Sequence, residues 1–190
     1  MLRLGILISG NGSNLQAIID AVESGILKAG IVTVIADRPA FGLERAAKHD
    51  IPALLINRKE YKENLSEQIN KKLEKKVDLV VLSGFLSILS RDFISRWRGK
   101  IINIHPSLLP DFGGKGMYGI HVHRAVLAAE RTESGCTVHY VDQGIDTGEI
   151  ILQRKVPVLK GDTPETLQER VLGEEHKLLV EALRRLSDND

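Results

Sequence analysis

The stretch that decides the fold reads LGILISGNGSNL and runs from Leu4 to Leu15. Its apolar beginning, residues 4–8, is too short for a helix and is rich in Ile and Leu, which favours a buried strand. A turn with two glycines follows, and the apolar residues after it recur every three or four positions, as on one face of a helix. The stretch therefore predicts a strand, a tight turn and a helix.

Short apolar runs continue to alternate with segments of helical period along the rest of the chain. The sequence predicts further strands at residues 31–36, 53–56, 79–82, 101–105, 136–141 and 149–158. It also predicts a helix near residues 122–130 and a long final helix that begins at Thr163 and Pro164. Repeated strand–helix units indicate a parallel sheet with helices on both faces. We expect one α/β domain over residues 1–190, with a Rossmann-like, mostly parallel sheet.

Composition limits the classes of partner. The 190 residues carry 26 Lys and Arg against 25 Asp and Glu, a formal net charge of +1, so no global field attracts nucleic acid or an anionic membrane. The first apolar run is too short to span a bilayer. The single cysteine, Cys136, suits a reducing compartment. We expect a cytoplasmic protein that binds small molecules and neither nucleic acid nor membrane. Any anionic ligand must then be bound by a few local groups.

The first glycine turn is a candidate phosphate site. Backbone N–H groups at a helix N-terminus attract anions, and the Ser13 and Asn14 side chains can add donors beside Gly12. The turn lacks the Lys-Ser/Thr of a P-loop, and Leu15 replaces the third glycine of a dinucleotide fingerprint. Asp37 can still imitate the ribose-binding acid of a Rossmann fold. The alternative is a plain strand-to-helix turn with Ser13 as the N-cap.

The segment INIHPSLLP, residues 102–110, places an amide and an imidazole together. Side chains alternate along a strand, so Asn103 and His105 project from the same face, and Pro106 ends the strand. Ligands of open parallel sheets bind at this edge. An amide donor beside an imidazole can stabilise a developing oxyanion and move a proton. The alternative is a polar strand end in which Asn103 caps a loop.

Carboxylates supply the remaining candidates. Asp142 and Asp146 lie in a loop punctuated by glycine, which by itself is most simply a solvated turn, and Asp146 is the better acid for a triad with Asn103 and His105. In the last helix, Glu175 falls on the apolar stripe, where it either lies at the stripe's edge or binds a substrate amine or hydroxyl.

Two further histidines have simpler explanations from sequence. His139 lies in a strand-like run and is predicted to be a hydrogen-bonded core residue, and His123 a loop or helix-start residue. No metal site is predicted, because His121 and His123 have no evident companion ligands.

Taken in order, these motifs resemble the 10-formyltetrahydrofolate-dependent formyltransferase family over nearly the whole chain. The shared strings are ISGNGSNL (8–15), GFLSILS (84–90), NIHPSLLP (103–110), GCTVHYV (135–141), DTG (146–148) and EH (175–176). The early Gly-Ser-Asn turn narrows the resemblance to members that formylate N1-(5-phosphoribosyl)glycinamide in de novo purine biosynthesis. The resemblance thus implies that 10-formyltetrahydrofolate is the co-substrate and that no metal takes part.

The resemblance also implies roles for individual residues. Asn103 and His105 would polarise the formyl oxygen, while Asp146 keeps His105 protonated and orders a water that relays the amine's proton. The ribonucleotide would bind at Gly12, Ser13, Asn14 and Glu175. The folate would bind at Arg58, Leu86, Ser87, Ile88, Leu89, Asn103, Val141 and Asp142, with loop 141–146 closing over the pterin. The N-terminal half would thus bind the phosphate, and the C-terminal half the folate.

The sequence departs from the family's pattern at three places. Ser87 replaces an arginine of some relatives, Leu172 replaces a glutamine, and loop 111–123 is longer than the compact form that we expect.

Three alternative functions remain open. A 10-formyltetrahydrofolate hydrolase shares the amide, imidazole and carboxylate but carries an additional N-terminal domain, which we do not expect here. Methionyl-tRNA formyltransferase would need a further C-terminal domain and a more basic surface. A non-catalytic Rossmann-type nucleotide-binding module would leave Asn103, His105 and Asp146 without a role.

Overall fold

The computed structural model describes residues 1–188, which form one seven-stranded sheet covered by helices. The strands are β1 (Leu2–Ile8), β2 (Ala29–Ala36), β3 (Ala53–Leu55), β4 (Leu79–Leu82), β5 (Ile101–His105), β6 (Glu133–Tyr140) and β7 (Ile150–Pro157). The helices are α1 (Ser13–Glu23), α2 (Phe41–Lys48), α3 (Arg58–Tyr61), α4 (Leu65–Leu73), α5 (Arg91–Arg96), α6 (Ile120–Ala128) and α7 (Pro164–Asp188), and a 3₁₀ turn, Lys62–Asn64, follows α3.

The sheet confirms the expected α/β class. Its strand order is β3-β2-β1-β4-β5-β6-β7, and the first five strands of that order run parallel. The last two pairings, β5 with β6 and β6 with β7, are antiparallel. The chain moves outward from β1 in one direction through β2 and β3, and then in the other from β4 onward. The strand order therefore reverses between β1 and β4, the place where open α/β sheets bind ligands.

Helices cover both faces because neighbouring strand side chains point to opposite sides. Ile6 belongs to the apolar core under α1, α6 and α7, whereas the adjacent Leu7 belongs to the core under α4 and α5. Both side chains are fully buried. A strand covered on both faces reads as a continuous apolar run, which is why β1 was recognisable from sequence.

The first residues of helices α7 and α1 can be compared with the N-caps expected from sequence. Helix α7 begins at Pro164, and the Thr163 hydroxyl accepts a hydrogen bond from the Thr166 N–H at 3.3 Å, as its sequence predicts. Helix α1 begins at Ser13, so its N-cap is Gly12, which has a left-handed φ of 75° and makes no side-chain cap. The alternative in which Ser13 is the N-cap is therefore wrong in that detail, because Gly12 holds the N-cap position. Within residues 1–188, no helix has the length and apolar character needed to cross a membrane.

Candidate active site

A cavity of about 650 Å³ opens at the carboxyl ends of the parallel strands. The ends of β4 and β5 form its floor, and the start of α1 and the middle of α7 form one side. The segment before α5 and the loop between β6 and β7 form the other side. The cavity thus lies beside the point where the strand order reverses, and it contains Asn103, His105 and Asp146 together.

Asn103 is held by a histidine on the neighbouring strand. The antiparallel register pairs Asn103 with His139, and Asn103 Nδ2 lies 3.1 Å from His139 Nε2. His139 Nδ1 lies 2.8 Å from the Tyr140 carbonyl, which can only accept, so Nδ1 carries the hydrogen. Nε2 is thus the ring atom that bonds to the Asn103 amide. This bond orients the amide and leaves its second N–H available to a substrate.

His105 is held on both sides of its ring. Its Nε2 donates to the Phe112 carbonyl at 2.9 Å, and its Nδ1 lies 3.5 Å from Asp146 Oδ2. Burial lowers the pKa of His105, and the Asp146 charge and the Phe112 carbonyl oppose that effect without overcoming it. The carboxylate of Asp146 favours the protonated ring, while desolvation of the imidazolium opposes it, so the protonation of His105 by Asp146 stays a prediction.

Asp146 faces both imidazoles of the cavity. Its Oδ1 lies 3.6 Å from His139 Nε2, and the Gly114 N–H donates to its Oδ2 at 3.0 Å. Burial would raise the pKa of Asp146, but these contacts and the charge of His105 together hold it below the ordinary value. The residue also has a left-handed φ of 58°, an uncommon conformation for a non-glycine residue. A strained, ionised acid at the base of a cavity is a typical functional arrangement.

A buried carboxylate lies on the side of α1 and α7. Glu175 is 8% exposed, and its Oε2 accepts from Asn14 Nδ2 at 2.8 Å. Burial raises the pKa of Glu175. Asn14 is equally buried, and its Oδ1 has no hydrogen-bond partner within residues 1–188. This burial excludes the alternative in which Glu175 lies at the edge of the apolar stripe and reaches water. The pair presents two oxygen acceptors where a substrate amine or hydroxyl would find them.

The opposite side of the cavity is largely apolar. The segment Leu86, Ser87, Ile88 and Leu89 lines it as predicted from the resemblance, together with Val141 and Asp142. Ile88 is 83% exposed, an unusual exposure for an isoleucine beside a cavity. Asp142 also stabilises its own loop, since its carboxylate accepts from the Gly144 N–H and the Thr147 hydroxyl.

Several predicted site residues do not line the cavity. Arg58, Gly12 and Ser13 are absent from its wall, although Asn14 contributes to it. Asp37 is fully buried, pairs with Arg38 at 2.8 Å and accepts the Ser87 hydroxyl. These internal partners prevent Asp37 from binding a ribose, which removes the main feature of the dinucleotide alternative.

Sequence patterns missed two histidines of the site. His139 is a buried strand residue, as predicted, but it also bonds to Asn103 inside the cavity. His123 lines the cavity from α6 and is 1% exposed, and burial together with the neighbouring His105 lowers its pKa to about 4. Nothing in a single sequence reveals that β6 pairs with β5. Within residues 1–188, no three His, Cys, Asp or Glu side chains gather as metal ligands would.

Comparison with known proteins agrees with this arrangement. The family model described as "Formyl transferase" matches residues 2–183. A trifunctional purine biosynthetic protein adenosine-3 from Bos taurus is 48% identical over 186 residues, which are 96% of this chain and 18% of that protein. A chloroplastic phosphoribosylglycinamide formyltransferase from Vigna unguiculata is 40% identical over 190 residues, which are 98% of this chain and 61% of that protein. The chain thus spans less than two thirds of these curated relatives.

Solved structures share the fold over the whole described length. The glycinamide ribonucleotide transformylase 1 of Symbiobacterium toebii superposes with a TM-score of 0.93 at 40% identity, covering 100% of this chain and 89% of that chain. The enzyme of the same name from Geobacillus kaustophilus gives a TM-score of 0.91 at 40% identity and covers 98% of both chains. Sequence motifs, site geometry and comparisons agree, and the chain belongs to the formyl transferase family.

Proposed function

We propose that this chain transfers a formyl group from 10-formyltetrahydrofolate to the amine of N1-(5-phosphoribosyl)glycinamide in de novo purine biosynthesis. The observation that carries the proposal is the set formed by Asn103, His105, His139 and Asp146 at the base of one cavity. An oriented amide can stabilise an oxyanion, and imidazoles beside an ionised carboxylate can move a proton, which are the two tasks of acyl transfer to an amine. The relatives are named as a purine biosynthetic protein and as enzymes that formylate phosphoribosylglycinamide, which suggests the acceptor and the pathway.

The two sides of the cavity suit two different substrates. The apolar wall before α5 fits a flat pterin and an aromatic ring, whereas Asn14 and Glu175 offer polar acceptors to the glycinamide or the ribose. Asn103 and His105 lie on β5 between these sides. Each side takes residues from both halves of the chain, so a division into a phosphate half and a folate half remains a prediction. Holding both reactants together at one edge of the sheet supplies much of the rate enhancement.

The reaction follows from these positions. The amine attacks the formyl carbon, a new C–N bond forms, and the formyl oxygen becomes an oxyanion. The free N–H of Asn103 donates to that oxyanion. The amine's proton leaves through a water held by Asp146, and collapse breaks the bond to N10 and releases tetrahydrofolate, with N10 taking up a proton.

His105 changes its hydrogen-bond partner and its protonation during this reaction. Its Nε2 hydrogen now goes to the Phe112 carbonyl, so a bond from Nε2 to the formyl oxygen requires the loop after Pro110 to shift. Burial lowers the pKa of His105, and a developing negative charge nearby would raise that pKa. We therefore propose that His105 takes up the amine's proton through the water held by Asp146 as the oxyanion forms. Asp146 stabilises the imidazolium, which returns the proton to N10 on collapse.

The test is folate product formation by the purified protein, with 10-formyltetrahydrofolate alone and then with N1-(5-phosphoribosyl)glycinamide added. Turnover that depends on the ribonucleotide is the expected result. Turnover with the folate alone would indicate the hydrolase instead, and tight nicotinamide dinucleotide binding without folate binding would indicate the Rossmann-type module.

The cellular setting also remains a proposal. We propose a cytoplasmic location, although the relatives include chloroplastic proteins. Fractionation of the source cells followed by immunoblotting tests this, and recovery of the protein in an organelle fraction would contradict it.

A further inference from the structure

The loop between β6 and β7, residues 141–149, forms part of the cavity wall and is held together by contacts of its own. The Asp142 carboxylate accepts from the Gly144 N–H at 3.0 Å and from the Thr147 hydroxyl at 2.7 Å. A Cβ at Gly144 would collide with the Thr147 side chain, so the chain folds back closely on itself at this point. Any displacement of the loop therefore moves its middle as one piece.

Two side chains of this loop connect it to other parts of the described chain. Asp146 faces the two imidazoles and accepts from the Gly114 N–H. Gln143 makes the second connection, because its Nε2 donates to the Arg91 carbonyl and to the Ser95 hydroxyl, both at 3.1 Å. These two acceptors lie four residues apart, one turn of α5, so a single amide bridges the loop to the helix.

The bridge joins two segments that line the same side of the cavity. Helix α5 begins at Arg91, directly after the apolar segment 86–89, and both this segment and the loop line the cavity. Ile145, two residues after Gln143, also lines it and is 46% exposed. A flat ligand between the loop and the apolar segment is enclosed only while the loop stays against α5.

The same bridge acts on the acid of the site. Asp146 lies three residues after Gln143 and has a left-handed φ of 58°. An uncommon backbone conformation persists only where the surrounding structure enforces it. Because the middle of the loop moves as one piece, the contact of Gln143 with α5 also fixes the position from which Asp146 faces His105 and His139.

We infer that Gln143 is a positioning residue, whose amide holds loop 141–149 against α5 and so encloses the folate and keeps Asp146 in place. The inference rests on the proposed function for the identity of the folate. It assigns a role to a side chain that the family resemblance left without one.

Gln143→Ala removes the bridge and leaves the reacting groups unchanged. Without it, the loop of the unliganded protein lies away from α5 for more of the time, and folate must bind the smaller closed population. A bound folate favours the closed loop again, so the loss appears in KM and not in kcat. We expect KM for 10-formyltetrahydrofolate and the dissociation rate of tetrahydrofolate each to rise roughly tenfold. The KM for the ribonucleotide should stay close to the wild-type value.

Two further variants separate the bridge from a general effect on the loop. Ser95→Ala removes one of the two acceptors, so it should raise the folate KM by less, and it should add nothing in a Gln143→Ala background. Glu149→Gln is the matched control, because Glu149 is an exposed residue of the same loop whose side chain makes no hydrogen bond within residues 1–188. This control should resemble the wild type.

Amide hydrogen exchange of the unliganded protein gives a readout that is independent of activity. The amides of loop 141–149 should exchange faster in Gln143→Ala than in the wild type or in Glu149→Gln, with the strands of the sheet unchanged. Unchanged exchange of the loop would overturn the inference. Faster exchange without a selective rise in the folate KM or in tetrahydrofolate release would overturn it as well, and so would additive effects of Gln143→Ala and Ser95→Ala.

Stopped-flow release of tetrahydrofolate, measured without the acceptor, separates this inference from the proposed function. A wild type without transfer activity, in which Gln143→Ala still speeds loop exchange and tetrahydrofolate release, would contradict the transferase and support the positioning role. A wild type that binds no tetrahydrofolate would contradict both.

Discussion

The carboxylate of Asp146 lies 3.5 Å from Nδ1 of His105, with its other oxygen 3.6 Å from the second imidazole, that of His139. One acid thus faces both rings of the cavity, although the three residues lie on three different segments of the chain. The glycine-rich loop before α6 completes the arrangement, since the Gly114 N–H donates to Asp146 and the Phe112 carbonyl accepts from His105. The charge of Asp146 therefore acts on both rings while the loop holds its geometry.

Asp146→Asn removes this charge and retains the shape. Asn tolerates the left-handed φ of 58° well, so the fold should persist. Without the carboxylate, the pKa of His105 should fall further, and we expect kcat to drop by roughly a hundredfold or more with little change in either KM. Steady-state kinetics measure this. Asp50→Asn is the matched control, because Asp50 has a similar φ of 56° and lies outside the cavity wall.

Asn103→Ala and His105→Ala each remove a group from the reacting centre. We expect each to lower kcat by roughly a hundredfold or more, because a lost oxyanion donor costs about 3 kcal/mol in transition-state stabilisation. Circular dichroism and thermal unfolding should show a folded protein in both cases. Near-normal turnover in two well-folded variants would refute the roles assigned to these side chains.

His139→Gln tests whether this histidine acts by orienting Asn103. The variant loses the 3.1 Å contact between His139 Nε2 and the Asn103 amide. We expect kcat to fall by roughly tenfold, the lower range for partners that orient a reacting group. In an Asn103→Ala background, the same change should have almost no further effect. Additive losses in the double variant would show that His139 acts independently of Asn103.

Glu175→Gln should make the protein more stable and less active. Burial raises the pKa of Glu175, so the folded state disfavours its charged form, and the stability present below the ordinary pKa is lost as pH rises through the folded value. At pH 7 the wild type carries that penalty and the glutamine does not. We expect a higher urea midpoint for Glu175→Gln at pH 7, a smaller difference at pH 4, and a KM for the ribonucleotide raised roughly tenfold. A lower midpoint at pH 7 would contradict this.

His123 should make stability depend on pH in the acidic range. Its pKa falls from 6.5 to about 4 on folding, so its contribution is complete above pH 6.5 and is lost as pH falls toward 4. The loss amounts to about 3 kcal/mol. In urea unfolding between pH 7 and pH 4, His123→Gln should lose less stability than the wild type. The exposed His121, two residues earlier, provides the control His121→Gln, and an unchanged slope in His123→Gln would refute the prediction.

Much of the fold was predictable from local pattern. Strand β4 is apolar throughout and β1 carries no charge after Arg3, because both are buried on both faces, and Pro106 marks the end of β5. The pair of Asn103 and His105 was also predictable, because strand alternation puts both on one face. The antiparallel direction of β6 and β7 was not, since a short apolar run reads alike in either direction.

The rest of the site depends on long-range neighbours. Sequence placed Glu175 on an apolar stripe, but only the packing of α7 against α1 shows that Asn14 is its partner. The pKa of His105 could not be predicted from sequence for the same reason, because it reflects burial by segments distant in sequence.

The sequence by itself determined the alternation of strands and helices, the end of the sheet where the cavity opens, and the membership of the family. These properties follow from side-chain period, turn residues and short motifs, all of which are local. Only the tertiary structure decided which polar groups meet and in what state of charge. Strand register brings His139 to Asn103, and loop packing brings Asp146 to His105. Burial, a property of the whole fold, then sets the pKa of each group.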